Sequence, residues 1–187
     1  MALTCNPLAL PEVLCLVPDV FRDPRGFFLE TCNTAKYAAL GITKPFVQDN
    51  FSRSCGNTLR GLHYQARHPQ AKLVAVSRGS IFDVAVDIRR GSPTFGRWVG
   101  RVLSDENHEQ LYIPAGFAHG FSVLSPEADV FYKCTDFYDR DDDRGILWND
   151  PALGIDWQVT APLLSAKDQQ LPCLSAVPPE QLPAYAG

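Results

Sequence analysis

The feature that most restricts how this chain can fold is its rhythm of short apolar runs, each closed by glycine, proline or asparagine. Residues 13–17, 27–30, 46–52, 59–65, 72–77, 81–88, 97–103, 110–113, 116–121 and 130–135 read as strands. Between them, Asp23-Pro24-Arg25-Gly26, Cys55-Gly56-Asn57-Thr58 and Arg78-Gly79-Ser80 are turn sequences. The run 81–88 alternates best: Phe82, Val84, Val86 and Ile88 share one face, and Ile81, Asp83, Ala85 and Asp87 the other. One short helix is expected, capped by Asn33 or Thr34, running through Tyr37 to Leu40 and closed by Gly41. Many short strands with such turns predict an all-β sandwich or barrel.

No internal repeat or linker divides the 187 residues, so one domain is expected over 1–187, with its core over about 12–168. The tail over 169–187, rich in Pro and Ala from Leu171 onward, is expected to pack loosely or hang free. No apolar run is long enough to span a bilayer, which argues against a membrane protein. The start Met-Ala-Leu-Thr-Cys-Asn-Pro lacks the charged and apolar regions of a signal peptide, which points to the cytoplasm. A net charge of −4 argues against a nucleic-acid partner, although a few focused cations can still hold a small anionic ligand. The six cysteines show no Cys-x-x-Cys and read as incidental or buried thiols.

The chemistry concentrates in Leu59-Arg60-Gly61-Leu62-His63-Tyr64-Gln65 and the nearby Lys72. Arg, His and Lys are unfavourable inside apolar strands unless something uses them. Arg60 and His63 are an odd number of residues apart, so strict alternation would separate them; a bulge at Gly61 would bring them together. Of the four histidines, His68 and His108 read as solvated loop residues, whereas His63 and His119 lie in apolar, glycine-containing segments. Taken singly, either is as readily a hydrogen-bonded core residue as a functional one; Arg60 and Lys72 set His63 apart. A metal site finds little support, because no His-x-His occurs. Asp139, Asp141 and Asp143 have the spacing of calcium ligands, but Arg144 stands where that loop requires Gly. Tyr132 and Tyr138 read, on their own, as packed aromatics.

In combination, Asp23-Pro24-Arg25-Gly26-Phe27-Phe28, Phe46-Val47-Gln48-Asp49-Asn50, Leu59-Arg60-Gly61-Leu62-His63, Val84-Ala85-Val86-Asp87-Ile88-Arg89, Ser92-Pro93-Thr94-Phe95-Gly96, Ile113-Pro114-Ala115-Gly116-Phe117-Ala118-His119-Gly120-Phe121, Ile146-Leu147-Trp148-Asn149-Asp150 and Leu164-Ser165-Ala166-Lys167-Asp168 closely resemble the dTDP-4-dehydrorhamnose 3,5-epimerases. The resemblance runs from Phe21 to Asp168. It implies a cupin-type jelly-roll β-barrel with a few short helices, a homodimer, and no metal or other cofactor. The implied substrate is a dTDP-4-keto-6-deoxyhexose, inverted at C3 and C5 through an enolate in deoxysugar biosynthesis. It also implies His63 as general base, Tyr132 as general acid, Asp168 as the carboxylate behind His63, and Lys72 facing the keto oxygen. Arg25, Glu30, Gln48, Asp49, Asn50, Arg60, His119, Asp143 and Lys167 fall where that family contacts the nucleotide sugar, and Tyr138 where thymine is stacked. Asp143 stands where the family usually has Glu. The alternatives are an epimerase of C5 or C3 alone, a non-catalytic nucleotide-sugar-binding barrel, and a metal-dependent cupin. Dimerisation is expected through exposed apolar edge strands at 13–17 and 27–29.

Overall fold

The structure, a computed structural model, describes residues 1–185. Its strands are β1 (Leu3–Pro7), β2 (Leu14–Pro18), β3 (Val20–Asp23), β4 (Gly26–Leu29), β5 (Gln48–Cys55), β6 (Leu59–Gln65), β7 (Lys72–Arg78), β8 (Ser80–Asp87), β9 (Trp98–Ser104), β10 (Gln110–Ile113), β11 (Phe117–Val123), β12 (Glu127–Cys134) and β13 (Asp143–Gly145). A six-stranded sheet in the order β1-β2-β10-β7-β12-β5 faces a five-stranded sheet in the order β13-β6-β11-β8-β9. All the pairings are antiparallel, which gives a jelly-roll-like sandwich. The α-helix among the described residues, α1 (Thr34–Ala39), starts where expected: Asn33 accepts from the backbone of Ala35 and Lys36.

The alternation of 81–88 sorts its side chains between two cores. Ile81 and Ala85 join Val74, Leu111, Phe121 and Val130 in the cluster between the sheets. Phe82, Val84, Val86 and Ile88 point to the other side and join a second cluster. That second cluster is closed by the C-terminal segment: Ile146, Trp157, Leu174, Val177 and Leu182 cover the outer face of the five-stranded sheet. The tail is therefore packed, not loose. Leu174 donates its N–H to buried Asp150, and Tyr185 donates to the carbonyl of Arg90. Each such apolar side chain contributes about 1.5–3 kcal/mol when buried. Residues 186–187 of the expected loose tail lie outside the described residues.

Further corrections concern edges and loops. The 13–17 segment is not an edge, because β1 pairs with the open side of β2. The hairpin of β3 and β4 turns through Pro24 and Arg25 and belongs to neither large sheet. It leaves Phe21, Phe27 and Phe28 exposed, Phe28 by 63%. His108 is buried rather than solvated, hydrogen-bonded to Arg22 and set against the Phe27 ring. Among the described residues, no helix is long and apolar enough to cross a membrane.

Candidate active site

A cavity opens between the two sheets in two lobes of about 330 and 510 Å³, which share His63, Lys72, Tyr132 and Asp143 as lining residues. His63 comes from β6 in the five-stranded sheet. Lys72 begins β7 and Tyr132 lies on β12, neighbouring strands of the sheet opposite. Base and acid candidates thus occupy facing walls.

Gly61 makes this arrangement possible. Three residues of β6 span the distance covered by two on β11: His63 pairs with His119, and Arg60 with Phe121. The extra residue is the bulge expected at Gly61, and it places both Arg60 and His63 on the cavity wall. Gly61 has φ +123°, and a Cβ there would lie 2.6 Å from the Cα of Gly120. Only glycine fits at this crossing.

His63 Nε2 lies 2.6 Å from Asp168 Oδ1. When Nε2 donates to the carboxylate, Nδ1 is left as the proton acceptor. Asp168 is only 3% exposed. Burial raises its pKa, but hydrogen bonds from His63 and the Gly61 N–H outweigh this and hold the carboxyl below its ordinary value. Lys72 has no hydrogen-bond or ion-pair partner among the described residues; burial pushes its pKa down, countered in part by Cys134, Asp83 and Asp143. Burial pushes the Tyr132 hydroxyl above the ordinary tyrosine value, which keeps its proton in place. Arg60 donates to Ser54 Oγ at 3.0 Å and has no carboxylate partner among the described residues.

His119 lines the larger lobe, its Nε2 held by both oxygens of buried Asp83 at 2.9 and 3.1 Å. At the mouth, Tyr138 is 54% exposed and donates its hydroxyl to Asp143 Oδ2 at 2.9 Å; Lys167 pairs with the same oxygen. Gln48 accepts from the Tyr138 N–H at 2.8 Å and donates to Asn50 at 2.9 Å.

Three expected residues do not line the cavity of their own chain. Strand alternation turns Asp49 to the outer face of β5, where it pairs with Lys133. Arg25 and Glu30 belong to the protruding hairpin segment, held by Asp23 and Lys36. Conversely, Gln65 and Cys134 line the cavity and Asp83 holds His119 from behind, none of them expected from the sequence. The period of two carried a usable signal for Gln65, two residues from His63 on the same strand face.

The family model described as dTDP-4-dehydrorhamnose 3,5-epimerase matches residues 7–176. A Pseudomonas aeruginosa protein of that description is 58% identical over 165 residues, covering 87% of this chain and 91% of its own. A Streptomyces niveus dTDP-4-dehydrorhamnose 3-epimerase is 39% identical over 184 residues, covering 97% of this chain and 89% of its own. The crystal structure of a Legionella pneumophila dTDP-6-deoxy-D-glucose-3,5-epimerase in complex with dTDP-4-keto-L-rhamnose has a TM-score of 0.97 and 49% identity, with 100% of both chains covered. With 58% identity to one such protein and a family model spanning most of its length, this chain belongs to the dTDP-4-dehydrorhamnose 3,5-epimerase family.

Proposed function

We propose that this chain inverts C3 and C5 of dTDP-4-keto-6-deoxyglucose in dTDP-L-rhamnose biosynthesis. The observation that carries the reading is the facing of His63 and Tyr132 across one cavity, with the unpaired ammonium of Lys72 also lining it. A non-catalytic binding barrel needs neither a dyad-backed imidazole nor an opposed phenol. Full inversion at both carbons, rather than at C3 alone, is favoured by the higher identity to the 3,5-epimerase.

The 4-keto group acidifies the hydrogens on C3 and C5. His63 Nδ1 takes one of them, the C–H electron pair moves into the ring, and the carbonyl oxygen becomes an enolate oxygen. Lys72 offers a fixed positive charge to that oxygen; such preorganised stabilisation contributes about 3–4 kcal/mol where one donor has been removed in other enzymes. Tyr132 returns a proton to the opposite face and is reprotonated from solvent, while His63 releases its proton. No electrons are gained or lost. A positioned acid or base contributes roughly 10²–10⁴-fold. His119, Arg60 and Asn50 bind sugar and diphosphate, and Tyr138 stacks on thymine.

The protein acts as a homodimer. Phe21, Phe27 and Phe28 of the hairpin and Phe51 and Phe131 on the outer face of the six-stranded sheet are all exposed, and Phe27, Phe28 and Phe131 line one groove that a second copy would cover. A partner docked there brings Arg25 and Glu30 to the neighbouring cavity. The test is incubation with dTDP-4-keto-6-deoxyglucose in D₂O, reading deuterium at C3 and C5 by NMR. Labelling and inversion at both carbons is expected; at one carbon alone, the double inversion fails.

A further inference from the structure

Gln65 is only 6% exposed and extends from β6 two residues beyond His63, on the same wall of the cavity. Its carboxamide is fully committed. Oε1 accepts from the Asp139 N–H at 2.8 Å, and Nε2 donates to the carbonyls of His68 at 2.9 Å and Phe137 at 3.3 Å. The bonds to residues 137 and 139 straddle Tyr138. From the opposite sheet, Gln48 accepts from the Tyr138 N–H itself at 2.8 Å. Three consecutive backbone positions are thus held by two glutamines, one from each wall.

The loop needs this. Residues 135–139 belong to no helix or strand, so repeating backbone bonds do not fix them. The Tyr138 ring is more than half exposed, so packing does not fix it, and its hydroxyl bond to Asp143 holds the ring tip and not the backbone. On the other side of Gln65, Asp142, fully buried, accepts from the N–H groups of Arg67 at 2.7 Å and His68 at 3.0 Å, which immobilises the segment that Gln65 also grips. We propose that Gln65 is a positioning residue for nucleotide recognition: it locks the Tyr138 loop across the mouth and ties it to the strand carrying His63. The inference rests on the reading of Tyr138 as the thymine-stacking residue. Only an amide meets the requirement, since the site asks one side chain to accept one hydrogen bond and donate two.

The test is a double-mutant cycle on dTDP affinity, by calorimetry, with wild type, Gln65→Leu, Tyr138→Ala and the double variant. Gln65→Leu keeps the volume and is expected to weaken dTDP binding about tenfold, as loss of these buried bonds implies. KM for the sugar nucleotide should rise by a similar factor, while kcat and solvent exchange at saturation change less than about twofold. On the Tyr138→Ala background, Gln65→Leu should cause no further loss of affinity. An equal loss on both backgrounds, a fall confined to kcat, or wild-type affinity would overturn the proposal. Gln65→Asn, one methylene short, serves if Gln65→Leu does not fold; the same KM-only pattern is expected, and unchanged affinity counts against the idea. If Tyr138→Ala itself binds dTDP like wild type, the stacking reading fails and takes this inference with it. If Tyr138→Ala binds weakly but the Gln65 variants do not, this inference alone fails.

Discussion

Asp168 and His63 are separated by 105 residues in the chain but meet at 2.6 Å. The carboxylate fixes which imidazole nitrogen carries the proton, so Asp168→Asn, which presents an amide instead, is expected to lower turnover by about 10²-fold or more with little change in KM. Asp168 also links stability to acidity. Its carboxyl titrates below the ordinary value in the folded protein, so its contribution is present above the unfolded carboxylate pKa of about 3.9 and is lost as pH falls through the lower folded value. Thermal unfolding measured from pH 6 down to pH 3 should therefore show a shallower acid dependence in Asp168→Asn than in wild type. How much of this was legible differs by residue. His63 stood out by its company, because Arg60 shares its strand and Lys72 opens the next, in otherwise apolar segments. Tyr132 did not: as a letter it is a packed aromatic, and only the resemblance marked it. Asp168 lies in a 3₁₀ turn, where no strand periodicity points to its partner.

At the scale of elements, the site depends on one irregularity and one cover. The irregularity is the Gly61 bulge. Gly61→Ala sets a Cβ against the Gly120 backbone at a positive φ, and a destabilisation of at least about 1–3 kcal/mol is expected in urea unfolding, with activity lost at the same time. The odd spacing of Arg60 and His63, with a glycine between them, already offered such a bulge as the way to bring both to one face. The cover is the C-terminal tail. Leu174→Ala should cost about 2–5 kcal/mol by the same measurement, because Leu174 is 7% exposed and packs on the five-stranded sheet. Its Pro- and Ala-rich sequence hid this, since isolated apolar residues between 3₁₀ turns carry neither helical nor strand periodicity. β1 escaped for a different reason: Leu3–Pro7 is only five residues long and ends in proline, yet it pairs along the length of β2.

At the scale of the whole molecule, the two sheets each contribute residues to one cavity, and the proposed homodimer would form through the exposed hairpin. Phe28→Asp is expected to halve the mass seen by light scattering at micromolar concentration and to reduce activity, because Arg25 and Glu30 would no longer reach the neighbouring cavity. A monomeric wild type would contradict this. Exhaustive chelation is expected to leave turnover unchanged, since in the proposed mechanism His63, Tyr132 and Lys72 supply the base, the acid and the positive charge. The central claim is that the base stands on one sheet and the acid on the other, and solvent exchange in D₂O tests it most directly. With dTDP-4-keto-6-deoxyglucose as substrate, His63→Ala should show neither deuterium uptake nor epimerised product, because no enolate forms. Tyr132→Phe should retain deuterium uptake without inversion, since His63 can still lift a proton and return a deuteron on its own face. Inversion at the wild-type rate in Tyr132→Phe, or exchange persisting in His63→Ala, would contradict the opposed placement of base and acid.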